Sequence, residues 1–392
     1  MKPLDHIKTF HDELTAWRQD FHTHPELGFE EHRTSDLVAK RLEEFGIEVH
    51  RGIGGTGVVG VLRVGNGPQS IGLRADMDAL PIHEMTGLPY KSSREGVMHA
   101  CGHDGHTTML LGAARYLAET RKFNGTVHFI FQPAEEWIGG AQAMLKDKLF
   151  ERFPCDAVFG MHNWPGLPVG KFAIRSGTMM AAGAFFDIHI KGRGSHGARP
   201  HESIDPILVA CHVTTALQAI VSRNVNALDT AILSVTAVTG GDAYNVIPQT
   251  ATIRGTARTF DRKVMILIEE NMRRTASGVA SAFGATAEVD FRLLFAPLVN
   301  DPTETSAYIE AAVDLVGEDN VDRNRPLNMA SEDFSFMLEA RPGAYINVGN
   351  GDKTGSVPVH NPNYDFNDEA LPFGAAIMAG LVEKKLVPFS SR

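Results

Sequence analysis

The chain has 392 residues, 43% of them hydrophobic and 21% charged, the proportions of a globular protein too long for one compact core. A net charge of −10 without any Lys/Arg run excludes a basic nucleic-acid surface, and no uninterrupted apolar run reaches membrane-spanning length. Three widely separated cysteines argue against a disulfide framework, and the N-terminus lacks an apolar core after a basic start, so we expect a cytoplasmic protein without a signal peptide.

In chain order, residues 5–47 read as helical with a break at His24-Pro25-Glu26, and Leu37, Val38, Leu42 and Phe45 then share one face. Short apolar strands follow at 58–64 and 70–75, the second running into Asp76-Met77-Asp78. A helix is expected over 106–118, then strands over 126–131 and 156–161, ending at Gln132-Pro133-Ala134-Glu135-Glu136 and at His162. Strands alternating with helices predict an α/β fold, a mainly parallel sheet flanked by helices. Ligands bind such sheets beyond the carboxyl ends of the strands, where Asp76, Glu135, Glu136 and His162 fall.

From about Phe185 the order becomes β-α-β-β-α-β, a ferredoxin-like α+β unit. From Asn300 the pattern returns to α/β, with a strand near 344–348 and a last helix over 370–383. The expected organisation is a catalytic domain made of 1–184 and 298–392, interrupted by a lid or dimerisation domain at 185–297.

The chemistry concentrates in Met98-His99-Ala100-Cys101-Gly102-His103-Asp104-Gly105-His106, a thiol, three imidazoles and a carboxylate in nine residues. Sulfur and imidazole nitrogen are ligands for zinc, manganese, cobalt or nickel, and glycines permit the tight turn. Cys101, His103, Glu136, His162 and His360 supply five donors, too many for one open zinc site and suited to two ions sharing a water. Each is unremarkable alone, since most of 17 histidines are not ligands; their combination points to a metal-dependent hydrolase. Neighbouring side chains of an extended segment diverge, so Glu136 is free to bind metal while Glu135 serves as general base. Asp76 and Asp78 share a face and suit either support of the ligating histidines or a turn. Arg258, if it faces the crevice, suits a substrate carboxylate.

Longer segments carry a resemblance. Trp17-Arg18-Gln19-Asp20-Phe21-His22-Thr23-His24-Pro25-Glu26, Arg74-Ala75-Asp76-Met77-Asp78-Ala79-Leu80-Pro81 and His99-Ala100-Cys101-Gly102-His103-Asp104-Gly105-His106 belong to it. So do Phe131-Gln132-Pro133-Ala134-Glu135-Glu136, Gly160-Met161-His162-Asn163, Gly194-Ser195-His196-Gly197 and Asn245-Val246-Ile247-Pro248-Gln249. Ser331-Glu332-Asp333-Phe334 and His360-Asn361-Pro362-Asn363-Tyr364-Asp365-Phe366 complete the set. Together they resemble the hippurate hydrolase and N-acyl-amino-acid amidohydrolase branch of the dinuclear-metal aminoacylase/carboxypeptidase superfamily.

The resemblance implies two divalent ions, manganese or zinc first and cobalt or nickel next, on Cys101, His103, Glu136, His162 and His360. It implies Glu135 as general acid/base, and His196 from the lid, in a partner subunit, stabilising the oxyanion. Asn245 and Arg258 would contact substrate, while Asp76 and Asp78 would support the ligands. Ala184 departs from the aspartate expected at the lid entry. The implied activity is amide hydrolysis of a small N-acyl amino acid by a homodimer or higher oligomer acting on neither nucleic acid nor membrane. Deacetylation or dipeptide cleavage within the superfamily, a Cys101 thiol amidase and a non-catalytic metal-binding protein are the alternatives.

Overall fold

The computed structural model describes residues 2–136 and 139–387. They form two compact units, Met1–Met179 with Val299–Pro326 and Asp333–Arg392, and Met180–Leu298 with Leu327–Glu332.

The first unit is an eight-stranded sheet. Its strands are β1 (Glu48–Ile53), β2 (Gly57–Val64), β3 (Ser70–Asp76), β4 (Gly125–Gln132), β5 (Ala157–Pro165), β6 (Phe172–Ala173), β7 (Val321–Asp322) and β8 (Gly343–Gly351). They lie in the order β1-β2-β4-β3-β5-β8-β6-β7. The central strands β4, β3, β5 and β8 run parallel, which brings their carboxyl ends to one edge. Every residue of β4 and β8 is buried, as expected where helices cover both faces and the strands read as unbroken apolar runs.

Four helices matter for the site: α1 (Pro3–Ile7), α2 (His11–Thr23), α3 (His32–Glu44) and α4 (His103–Thr120). α4 connects β3 to β4 and is buried along nearly its whole length. It packs on α2 and on the C-terminal helix Leu371–Lys385. A Cβ on Gly112 would sit 3.1 Å from Ala375 and 3.2 Å from Leu14, so the absent side chain sets how closely these helices approach. Met109, Leu110, Leu111 and Leu117 are completely buried here, each worth roughly 1.5–3 kcal/mol.

Two boundaries at the site differ from the sequence reading. α4 starts at His103 rather than 106, because Gly102 turns the chain into the helix. β5 runs on through His162 to Pro165, because β8 supplies a parallel partner opposite His162 and Asn163. β1, with its alternating polar residues, was not expected at all.

The second unit has the β-α-β-β-α-β order: Ala182–Lys191, Pro206–Ala219, Ala231–Thr239, Thr250–Thr259, Arg262–Ala282 and Thr286–Phe295. The strands starting at 231, 250, 182 and 286 lie side by side in that order, all antiparallel. Strand alternation is clean, with Ala184, Phe186, Ile188 and Ile190 turned into a core shared with Val209, Val213, Ile268 and Met272. The helical stretch Pro206–Asn224 is long and apolar enough to cross a membrane by length and composition, which the sequence reading did not anticipate. Its apolar side packs into this unit's core.

Candidate metal centre and base

Gly102 is the hinge of the site. Its φ is +94°, a region that a side chain disfavours, and a Cβ would stand 2.5 Å from the Tyr364 hydroxyl and 2.6 Å from Asn163 Oδ1. That turn leaves buried Cys101 before the helix and puts His103 and His106 three residues apart on its first turn. Cys101 Sγ lies 3.3 Å from His162 Nε2.

The two carboxylates follow β4. Pro133 and Ala134 leave the strand, Ala134 with φ +50°, and Glu135 and Glu136 are both buried. The backbone N–H of Glu136 donates to Asp78 at 2.9 Å, and Glu136 Oε1 lies 3.1 Å from His360 Nε2. His360, half exposed on a φ of +64°, is tied by its backbone N–H to the Ala100 carbonyl at 2.7 Å.

Cys101, His103 and His162 offer ligand atoms within 4.8 Å of one another, and so do Cys101, Glu136 and His360. The two groups share Cys101. His103, Glu135 and Glu136 form a further such group. The hydrogen bonds suit ligation: His162 Nδ1–H donates to the Asn163 carbonyl at 2.6 Å, which leaves Nε2 of this neutral ring a lone pair, and His103 Nδ1–H donates to Asp78 at 3.2 Å, which leaves Nε2 as the nitrogen to meet an ion once its proton is displaced. His103 Nε2 is buried with no hydrogen-bond partner, as an ion's ligand would be before the ion arrives. These donors fit a divalent metal ion.

His106 is different. Its Nδ1–H donates to Asp76 at 2.6 Å and its Nε2 lies 2.8 Å from Asn163 Oδ1, so both nitrogens are occupied. Asp76 is equally committed, accepting from Arg74 at 2.7 Å through its second oxygen.

Burial and the crowd of charges shift these groups. Burial, then the carboxylates of Glu136, Glu135 and Asp76, push the Cys101 thiol well up. Burial, then neighbouring His106, hold His162 well down and neutral. For His103 burial acts downward, but Asp76 and Asp78 overcome it and lift the imidazole to about 10. Burial opposes ionisation of Asp76, yet His103, Arg74 and His106 hold its carboxyl well below the usual range.

The remaining candidates lie in the second unit. His196 is exposed on the short strand Ser195–His196, which pairs with Val246–Ile247, and Gly197 N–H donates to the Asn245 carbonyl at 2.7 Å. The half-buried Arg258 guanidinium lies across Gly183, whose Cβ would stand 2.7 Å from Nη1, and donates to the Ser331 hydroxyl. Ala184 is fully buried between Ala257 and Leu293.

Several buried polar residues around the centre were not anticipated. Asp333 accepts from Gln132 Nε2 at 2.7 Å, Arg74 at 3.2 Å and the Ala141 N–H at 2.9 Å, fastening both ends of the loop that carries Glu135 and Glu136. Glu31 accepts from the Ala134 N–H. The only local signal was that both belong to polar stretches within the quoted or neighbouring motifs; the partners lie 103 to 259 residues away.

The chain is similar to known proteins along nearly its whole length. Residues 72–384 match peptidase family M20/M25/M40. Hippurate hydrolase of Campylobacter jejuni is 45% identical over 387 residues, 98% of this chain and 100% of that one. N-acetylcysteine deacetylase of Bacillus subtilis is 40% identical, covering 95% and 97% of the two chains. IAA-amino acid hydrolase ILR1-like 4 of Arabidopsis thaliana is also 40% identical, with 96% and 87% covered. The crystal structure of the Bacillus subtilis YXEP protein, a dinuclear metal-binding peptidase of family M20, superposes with a TM-score of 0.83 at 37% identity over 97% of this chain and 99% of that one. With donors for divalent metal gathered at the carboxyl edge of the sheet, this chain belongs to peptidase family M20/M25/M40 and is a metal-dependent amidohydrolase.

Proposed function

We propose that the protein hydrolyses the amide bond of N-acyl amino acids of the hippurate type, releasing a carboxylic acid and a free amino acid. The observation that carries the reading is the pair of donor groups meeting at Cys101, with Glu135 buried beside them and next in sequence to Glu136. Two manganese or zinc ions on Cys101, His103, Glu136, His162 and His360 would supply Lewis acidity toward the scissile carbonyl and an acidified water. Glu135 accepts the proton of the attacking water and delivers it to the departing amine. Asp78 orients His103, and Asp76 orients His106, each through a buried hydrogen bond. His196 donates to the developing oxyanion, Asn245 contacts the substrate, and Arg258 holds its carboxylate through two parallel hydrogen bonds.

A 150 Å³ cavity bordered by His162, Trp164, Pro165, Pro358 and Val359 supports an apolar acyl group. Relatives that act on hippurate, indole-acetyl and N-acetylcysteine conjugates support the class without choosing among acyl groups. A thiol amidase is disfavoured because it leaves Glu136, His162 and His360, gathered around Cys101, without a part in the chemistry. A homodimer is supported by the outer edge of the strand Ala231–Thr239, which lies at the end of its sheet. Free thiols at Cys101, Cys155 and Cys211 support a reducing, cytoplasmic setting.

The deciding experiment is amine release from benzoyl-, acetyl- and indole-acetyl-amino acids and dipeptides by protein stripped with chelator and resupplied with manganese or zinc. Release restored by metal and strongest for benzoyl-glycine supports the proposal. Release from metal-free protein, or preference for dipeptides, overturns it.

A further inference from the structure

Glu135 is reached through a residue in an unfavourable backbone conformation. Ala134 has φ +50°, in the left-handed region where a Cβ is disfavoured, and it is the residue directly before Glu135. A non-glycine residue stays there only when its surroundings hold it. The adjoining backbone leaves no slack, since a Cβ on Gly140 would stand 1.6 Å from the Pro133 carbonyl.

The hold on Ala134 comes from far away in sequence. Its N–H donates to Glu31 Oε1 at 2.8 Å, and the other Glu31 oxygen accepts from the Thr56 hydroxyl. Glu31 is completely buried. It stands immediately before α3, and its side chain makes no capping bond there. That duty falls to Glu26, whose carboxylate accepts from the N–H of Arg33, the N–H of Thr34 and the Thr34 hydroxyl. The Glu31 carboxylate is thus released from its own helix and spent on the turn that presents Glu135.

We propose that Glu31 is a positioning residue for the general base: by holding the Ala134 N–H it keeps the left-handed turn that aims Glu135 at the reacting water. The proposal rests on the reading of Glu135 as base. Glu136 has a separate anchor, its N–H on Asp78, so metal binding should survive when Glu31 is lost.

The test uses full-length, metal-loaded enzyme and follows kcat, KM and bound metal. Glu31→Ala should lower kcat about 10- to 100-fold with KM and metal content unchanged, and Glu31→Gln, which keeps an acceptor, should retain most activity. Glycine adopts the left-handed conformation readily, so adding Ala134→Gly to Glu31→Ala should restore kcat at least threefold. If Glu31→Ala does not fold, Glu31→Asp, which keeps a carboxyl group but loses reach, should show the same kcat loss and the same rescue. Unchanged kcat in Glu31→Ala or Glu31→Asp, loss of metal along with activity, or no rescue by Ala134→Gly overturns the proposal. Glu135→Gln run alongside separates the two readings: inactive Glu135→Gln with intact Glu31→Ala rejects only the positioning role, whereas active Glu135→Gln rejects the base and the positioning role with it.

Discussion

The His103 imidazole and the Asp78 carboxylate meet at 3.2 Å with both side chains buried. That one contact engages Nδ1 and leaves Nε2 without a hydrogen-bond partner. Asp78 also takes the N–H of Glu136, so one carboxylate orders donors from α4 and from the loop after β4.

Removing the Asp78 charge should therefore loosen metal rather than merely slow turnover. Asp78→Asn is expected to weaken metal affinity about 10- to 100-fold. Competition with a chromophoric chelator measures it, and wild-type affinity in the variant would refute the coupling.

Glu135 should separate chemistry from metal binding. Glu135→Gln preserves size and burial but cannot accept a proton, so kcat should fall on the order of 10²–10⁴-fold. Metal content should remain at the wild-type level. Elemental analysis beside steady-state kinetics checks both halves, and simultaneous loss of metal would make Glu135 a ligand instead.

Arg258 should discriminate between substrates with and without a free carboxylate. Arg258→Ala is expected to raise KM for N-acyl amino acids roughly 10- to 100-fold, the worth of about 1.5–3 kcal/mol for a charged hydrogen-bonded contact. The corresponding amino-acid amides should lose little. Equal losses on both would assign Arg258 a structural part through Ser331, to which it donates.

Two histidines give the stability curve opposite slopes. Burial holds His128 neutral, lowering it to about 4, so its contribution is present above pH 6.5 and is lost as pH falls toward 4. Burial also acts downward on His22, but Asp104 and Glu84 reverse it and raise the ring to about 9. Its contribution is present below pH 6.5 and is lost as pH rises through 9. Each is on the order of 3 kcal/mol. Denaturation midpoints across pH should show a shallower acid limb in His128→Gln and a shallower alkaline limb in His22→Gln; parallel curves would refute the assignments.

The core of this fold was legible because its central strands are continuous apolar runs and its donors fall at their ends. Residues 126–131 could hardly be anything but a buried strand. β1 was not legible, since Glu48-Val49-His50-Arg51 carries the polarity of a half-exposed edge. The full extent of β5 was hidden for another reason: whether His162 continues a strand is decided by β8, almost 200 residues later. Glu31 and Asp333 escaped in the same way. A carboxylate that caps a local helix and one that crosses the molecule to hold a distant amide look identical in sequence.

One feature of the first unit sets the order in which the molecule can be made. Its sheet and core draw on segments from both sides of the second unit: β8 lies beside β5, and the C-terminal helix packs on α4. During vectorial synthesis the strands through β5 emerge with one side of the sheet unpaired and the α4 face uncovered, and they must wait through the whole intervening unit. His360 arrives only after that unit. The nascent chain therefore carries an open strand edge and exposed apolar surface for much of translation, the state most prone to misassociation. The second unit, whose four strands and two helices are contiguous apart from Leu327–Glu332, can close first and shorten the loop that the first unit must bridge.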